Sequence, residues 1–426
     1  MPTDTPPPRR NWHFNRWLIV LIVATFGWSG WRAYAFRSAL AEAKALGWAV
    51  QYTDPVETIR KNWRAAFKKA TWVSEVGQLG IQKGDVFKQN LAIVHRLNPS
   101  GLQILNAATL GDLSSIKALT RLQRLSLYGA ELTNVDALEN LSALQEVTLT
   151  GCKRLTNVDA LKNLTSLQNL WLDGCTGLSN VDALKNLTTL QKLWLGDCPR
   201  LTNVEALTRL SALHTVYLTQ CVSLTNVDAL SNLSALREIN LNGCTSLTNL
   251  DALKGLARLQ VVSCSGCTGL SNVDGLSNLT SLEQANLSNC KGLANLDGLK
   301  NLPALRWLNL TDCTGLTNID GLKNLTALRD CHLQGCTGLT NVDAIKNLKL
   351  HQVSLGSIAL TNADALKNIP SLVTVGLDNC RELTNVEGLK NLSGLKFVSL
   401  GDCTGLSKES VAGLKAALPN TQIIAP

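Results

Sequence analysis

Thirteen cysteines give this 426-residue chain most of its reactive potential, and eleven of them recur at one position of a repeated pattern. Cys152, Cys175, Cys198, Cys221, Cys244, Cys267, Cys290, Cys313 and Cys336 follow one another at a constant step, and Cys380 and Cys403 resume it. Thiolates ligate soft metals and act as nucleophiles. A metal site needs several ligands brought close together, and the ladder's even spacing does not support one. It predicts instead a small thiol buried once per structural unit, free of disulfides. Such a series suits a reducing compartment, and only burial would protect it in an oxidising one. Cys264 and Cys331 stand at apolar positions of the pattern and read as core.

The carboxylates recur as well. Asp136, Asp159, Asp182, Asp228, Asp251 and Asp274 invite a calcium or acid–base reading, but one per unit is the signature of a repeated turn. Each is expected to cap that turn by accepting a backbone N–H bond. Lys162, Lys185, Lys300, Lys323, Lys346, Lys367 and Lys390 form a companion row on the same side, a solubility feature. Five histidines are scattered, and no phosphate loop, nucleophile elbow or zinc helix is present. No catalytic constellation, cofactor site or metal site emerges, so the chain is not expected to be an enzyme. A hydrolase centre hidden in residues 36–101 is the remaining enzymatic reading.

One position per unit varies where the rest is monotonous. It reads Ser126, Thr148, Trp171, Trp194, Tyr217, Asn240, Ser263, Asn286, Asn309, His332, Ser354, Gly376 and Ser399. Three consecutive aromatics among small polar residues make a candidate binding stripe, with Asp173, Lys192, His214 and Asn240 beside it. Exposed aromatic clusters anchor interfaces. Cross-strand stacking that only stiffens a sheet would use the same residues. Trp307, Arg329, Asp330 and His332 form a weaker second patch.

The elements that position these residues come from a unit such as Leu155–Gly177, LTNVDALKNLTSLQNLWLDGCTG. It is written again at a constant step, broken only by one copy shortened by a single residue and another shortened by two. Thirteen units run from Leu110 to Gly405. Leu170-Trp171-Leu172 alternates with period two and reads as a short strand, leucines inward. Asp159 to Leu164 spaces apolar residues by three, which suits a 3₁₀ turn. One unit cannot bury its own leucines, so neighbours must stack. The period and the leucine pattern resemble the leucine-rich repeat family, nearest its bacterial internalin-like short-repeat subclass. The resemblance covers about three quarters of the chain. It implies an α/β solenoid: a curved parallel sheet on the concave face, with 3₁₀ or short helical turns on the convex one. In that family the cysteine position commonly holds a ladder asparagine that bonds backbone groups of the turn.

Outside the repeats the charge is uneven. The part of the chain before Leu110 carries 14 Lys and Arg against 6 Asp and Glu, which accounts for the whole net charge of +8. A basic excess confined to one end points to a membrane surface rather than nucleic acid. Residues 1–16 form a polar tail. Residues 17–35 begin with an uncharged stretch, Trp17 to Trp31, that fits a transmembrane anchor. The fifteen residues between Arg16 and Arg32 fall short of the ~20 of an ordinary span, and snorkelling arginines would extend them. A cleaved signal peptide ending at Ala33-Tyr34-Ala35 is the alternative. Residues 36–101 read as a small helical N-terminal cap, 102–405 as the repeats and 406–426 as a C-terminal cap. Within the first cap, Ser38–Leu46, Asp54–Lys69 and Asp85–Leu97 are the expected helices, and Leu102–Ile104 is the first solenoid strand. The whole predicts a single-pass membrane protein with an exported repeat domain, or a secreted one, that binds a protein partner on its concave face. A carbohydrate or cell-wall ligand held on the aromatic stripe is the alternative.

Overall fold

A computed structural model describes residues 38–46, 48–52 and 76–425. The expected anchor at 17–35 and the expected helix at 54–69 lie outside the described residues. Among the described residues no helix is long and apolar enough to cross a membrane.

The N-terminal cap opens with a helical segment at 38–45. Strand β1 (Ala49–Tyr52) then pairs antiparallel with β2 (Val76–Lys83). Strand β2 is parallel to β3 (Gly101–Asn106), so the solenoid sheet begins one strand before Leu102–Ile104. Leu79 and Ile81 point inward, fully buried, and stand in register with Leu102 and Ile104. Between β2 and β3 the expected helix is two, α1 (Gly84–Gln89) and α2 (Leu91–Leu97). Asn90 breaks it, with φ −121° and ψ 26°.

From β3 onward each repeat contributes one strand, and each strand pairs in parallel with the next. They are β4 (Arg124–Leu127), β5 (Glu146–Thr148), β6 (Asn169–Trp171), β7 (Lys192–Trp194), β8 (Thr215–Tyr217) and β9 (Glu238–Asn240). Then come β10 (Val261–Ser263), β11 (Gln284–Asn286), β12 (Trp307–Asn309), β13 (Asp330–His332), β14 (Gln352–Ser354), β15 (Thr374–Gly376) and β16 (Phe397–Ser399). Helix α3 (Lys408–Ala417), capped at Ser407 by a hydroxyl that accepts from the Ser410 N–H, leads to the last strand, β17 (Gln422–Ile424). Sixteen strands, β2 to β17, stack side by side in this way. At ~4.8 Å between parallel strands the sheet is roughly 70 Å long.

Each repeat sends the middle residue of its strand, and the residue just past the strand's end, into the interior. Leu170, Leu172, Leu193, Leu195, Val216 and Leu218 are all fully buried. Burying one such side chain contributes about 1.5–3 kcal/mol, and the next repeat supplies the wall it packs on. Opposite the sheet runs a row of thirteen 3₁₀ segments, one for each repeat among the described residues.

Candidate interaction surface on the strand face

Strand register brings the three aromatics together. Trp171 pairs with Trp194 and Trp194 with Tyr217 across β6, β7 and β8. The two indoles stack at 4.5 Å between centroids, with only 10° between their planes. Tyr217 meets Trp194 edge-on at 5.7 Å and 76°. All three rings are half-buried. The Tyr217 hydroxyl donates to Glu238 Oε1 on β9. Burial, together with that carboxylate, pushes the phenol up to about 12.

The other sequence candidates are placed less uniformly. Lys192 is exposed, flanked in register by Asn169 and Thr215. His214 lies just before β8 and shares a 3.1 Å hydrogen bond with the Thr215 hydroxyl. Burial, reinforced by the charges of Lys192 and Arg237, lowers its pKa. Asn240 stands opposite Tyr217, and its Oδ1 accepts from the Asn242 N–H at 3.0 Å. Asp173 is half-buried and accepts from the Gly196 N–H at 3.0 Å, which ties its repeat to the next. Burial raises its pKa. Glu238 belongs to this group although sequence reasoning passed over it. It occupies the first outward position of the strand after Tyr217, diagonally across, and that register was readable.

Two repeated features serve the scaffold. All thirteen cysteines are buried and free. Ten ladder thiols donate to a carbonyl of the preceding repeat: Cys221 to Leu195 O at 3.2 Å, Cys244 to Leu218 O at 3.1 Å, Cys313 to Leu287 O at 3.0 Å. Cys264 and Cys267 do have C-x-x-C spacing, which sequence reasoning missed. Both are buried in the core, with the Cys267 N–H bonded to Cys264 O at 3.2 Å. Among the described residues no group of three or more metal-binding side chains comes together.

The turn caps differ from expectation. The aspartates do not cap the 3₁₀ segments with their side chains. The asparagine two residues earlier does so, as Asn226 Oδ1 accepts from the Asp228 N–H at 3.2 Å and Asn249 Oδ1 from the Asp251 N–H at 3.1 Å. Twelve repeats share this bond. A carbonyl oxygen two residues back reaches that N–H without strain, as in an Asx turn. The acids turn outward, where Asp297, Asp320 and Glu387 pair with the lysine three residues on.

The pattern of the BspA type leucine rich repeat region matches residues 106–217 and 178–294, in six copies. Together with thirteen stacked strand-and-turn units, that match decides what the repeats are. These units are leucine-rich repeats. No curated protein matches it. Among solved structures it is similar to an internalin of Listeria monocytogenes, InlF, at 20% identity and a TM-score of 0.57, with 85% of this chain and 93% of that one covered. It is also similar to the functional domain of InlJ from Listeria monocytogenes, which includes a cysteine ladder. There the identity is 24% and the TM-score 0.57, over 72% of this chain and 64% of that one. Both are likenesses of fold.

The leucine-rich repeat sheet carries a second cluster further along the same face. Trp307 on β12 stands in register between Gln284 on β11 and Asp330 on β13. With Glu283 and Arg306 these residues line a shallow depression of about 340 Å³. The Trp307 and His332 rings lie 5.9 Å apart, tilted by 56°. Burial lowers the His332 pKa, with the Asp330 charge opposing. Arg329 turns away and donates to Lys349 O at 3.0 Å.

Proposed function

We propose that this protein is a recognition scaffold that binds another protein on its strand face, with Trp171, Trp194 and Tyr217 at the centre of the contact. The supporting observation is the packed, half-buried aromatic surface in the outward row, where every other repeat but one offers a small polar side chain or none. Large rings already fixed by their neighbours lose little freedom on binding, which favours them as interface anchors. A saccharide on this stripe is less well supported. The 4.5 Å stacking covers the facing sides of both indoles, and a sugar ring needs an open face. We further propose that residues 17–35 hold the repeat domain at a membrane.

A photo-crosslinking amino acid at position 194, with position 354 of the same row as comparison, tests the interface. One protein should be captured at 194 and not at 354. Trp194→Ala should then bind the purified captured protein about tenfold more weakly or worse, since a central aromatic carries ~2 kcal/mol. Trp194→Phe keeps an aromatic contact in the stripe and should lose less. Equal capture at both positions, with Trp194→Ala binding as wild type, would show that the stripe is sheet packing and nothing more.

A further inference from the structure

The depression around Trp307 is built from side chains that the fold does not use. Glu283, Gln284, Arg306 and Asp330 make no side-chain hydrogen bond or ion pair with another described residue. This is unusual on a face where Asp173, Asn242, Asn286 and Asp378 all brace backbone N–H groups. Glu283 and Arg306 occupy equivalent positions in adjacent repeats, one residue before β11 and β12, yet they form no ion pair. The indole is also differently placed from those of the stripe. Its ring partner is a tilted histidine at 5.9 Å rather than a stacked indole at 4.5 Å.

We infer that Glu283, Gln284, Arg306, Trp307 and Asp330 form a second binding site, separate from the aromatic stripe, for a neutral hydroxyl-rich ring of the pyranose class. The mix of groups selects against anions and leaves a cation no site free of like charge. An anion would meet two carboxylates, a cation would meet a guanidinium, and each would leave a like charge facing it. A hydroxyl both donates and accepts, so it can use carboxylate oxygens, an amide and guanidinium N–H groups together. The indole supplies the flat apolar wall that the C–H side of a sugar ring needs. The volume of the depression falls at the small end of ligand pockets, which suits one or two rings rather than a long chain. Register fixes the arrangement, because Gln284, Trp307 and Asp330 are neighbours across three hydrogen-bonded strands.

NMR titration tests this with methyl glycosides of glucose, galactose, mannose and N-acetylglucosamine, and with methyl glucuronide and glucosamine as charged probes. At least one neutral glycoside should bind, and more tightly than either charged probe. Trp307→Ala should weaken it about tenfold or more, a typical loss for a central contact. Arg306→Ala and Glu283→Gln replace exposed side chains that make no hydrogen bond or ion pair with another described residue, so they should leave folding intact, and each should weaken binding too. Trp194→Ala should leave it unchanged. The inference is overturned if no neutral glycoside binds, if a charged probe binds better, or if Arg306→Ala and Glu283→Gln both bind as wild type. Loss in Trp194→Ala instead would move the sugar site to the stripe.

Discussion

Cys313 shows what the ladder position asks of a side chain: small, apolar enough to be sealed in, and able to donate weakly to Leu287 O. Burial pushes its thiol up to about 11, and that of Cys198 to about 12. An unfolded cysteine ionises at ~8.5. Between that value and about 11 to 12 the folded state keeps protons that the unfolded state has lost, so stability falls as pH rises. Below pH ~8 both states are protonated and the contribution is constant. We therefore expect urea midpoints to be flat from neutrality to pH ~8 and to fall steadily above it. Native thiols should label slowly and then react together once the chain unfolds; rapid labelling of several without denaturant would contradict the buried ladder. The turn caps offer a second test at this scale. Asn226→Ala removes the oxygen that accepts from the Asp228 N–H and should cost about 1 kcal/mol. Asp228→Ala removes an outward carboxylate and should stay within about 0.5 kcal/mol. The reverse order in thermal melts would return the capping role to the aspartate. Sequence could not separate the two, because Asn and Asp share the chemistry of a cap and only turn geometry decides which reaches.

The strand was legible in each repeat because leucines alternate with polar residues, and the turn because its apolar residues recur by threes. Strand β2 was not legible, since Gly77 and Gly80 make Val76–Lys83 look like a loop. The pairing that rescues it, with β3 and β1, is tertiary. The residue after the turn aspartate was equally opaque: alanine in most repeats, glycine at 275, 298, 321 and 388. A Cβ on Gly298 would lie 1.9 Å from Val273 O, and one on Gly275 1.9 Å from Leu250 O. Neighbouring turns in this stretch approach more closely than an alanine allows, a property of spacing between repeats that no single repeat records. Gly298→Ala should push the turns apart and cost about 1–3 kcal/mol, as overpacking does. Hydrogen exchange should quicken around residues 273–299, where the clash falls. Ala160→Gly, in an alanine repeat, should cost about 1 kcal/mol or less, chiefly in backbone entropy. If Gly298→Ala melts as wild type, the close approach is not built in.

At the scale of the whole molecule each strand touches only its neighbours, so stability accumulates repeat by repeat and the two ends need closing. Helix α3 and β17 close one end; β1 and β2 with α1 and α2 close the other. The charge divides at the same boundary. The repeat body from Leu110 onward balances 26 Lys and Arg with 26 Asp and Glu, and the excess of eight positive charges precedes it. A neutral solenoid, preceded by a basic end that holds an uncharged, tryptophan-flanked apolar segment, is what the proposed tethered recognition domain would need. The test lies in fractionation. With residues 17–35 intact, the chain should stay with membranes through high-salt washing, which strips proteins held by charge alone, and should leave only with detergent. Replacing Val20 and Leu21 together by arginine should release it or lead to its degradation. Each charge near the middle of a span costs ~2.5–3.5 kcal/mol on insertion scales, and this stretch has only fifteen uncharged residues with which to offset two. Release of the unaltered chain by salt would make the attachment electrostatic. A mature chain beginning at Phe36 would show that the segment directs export and is then removed.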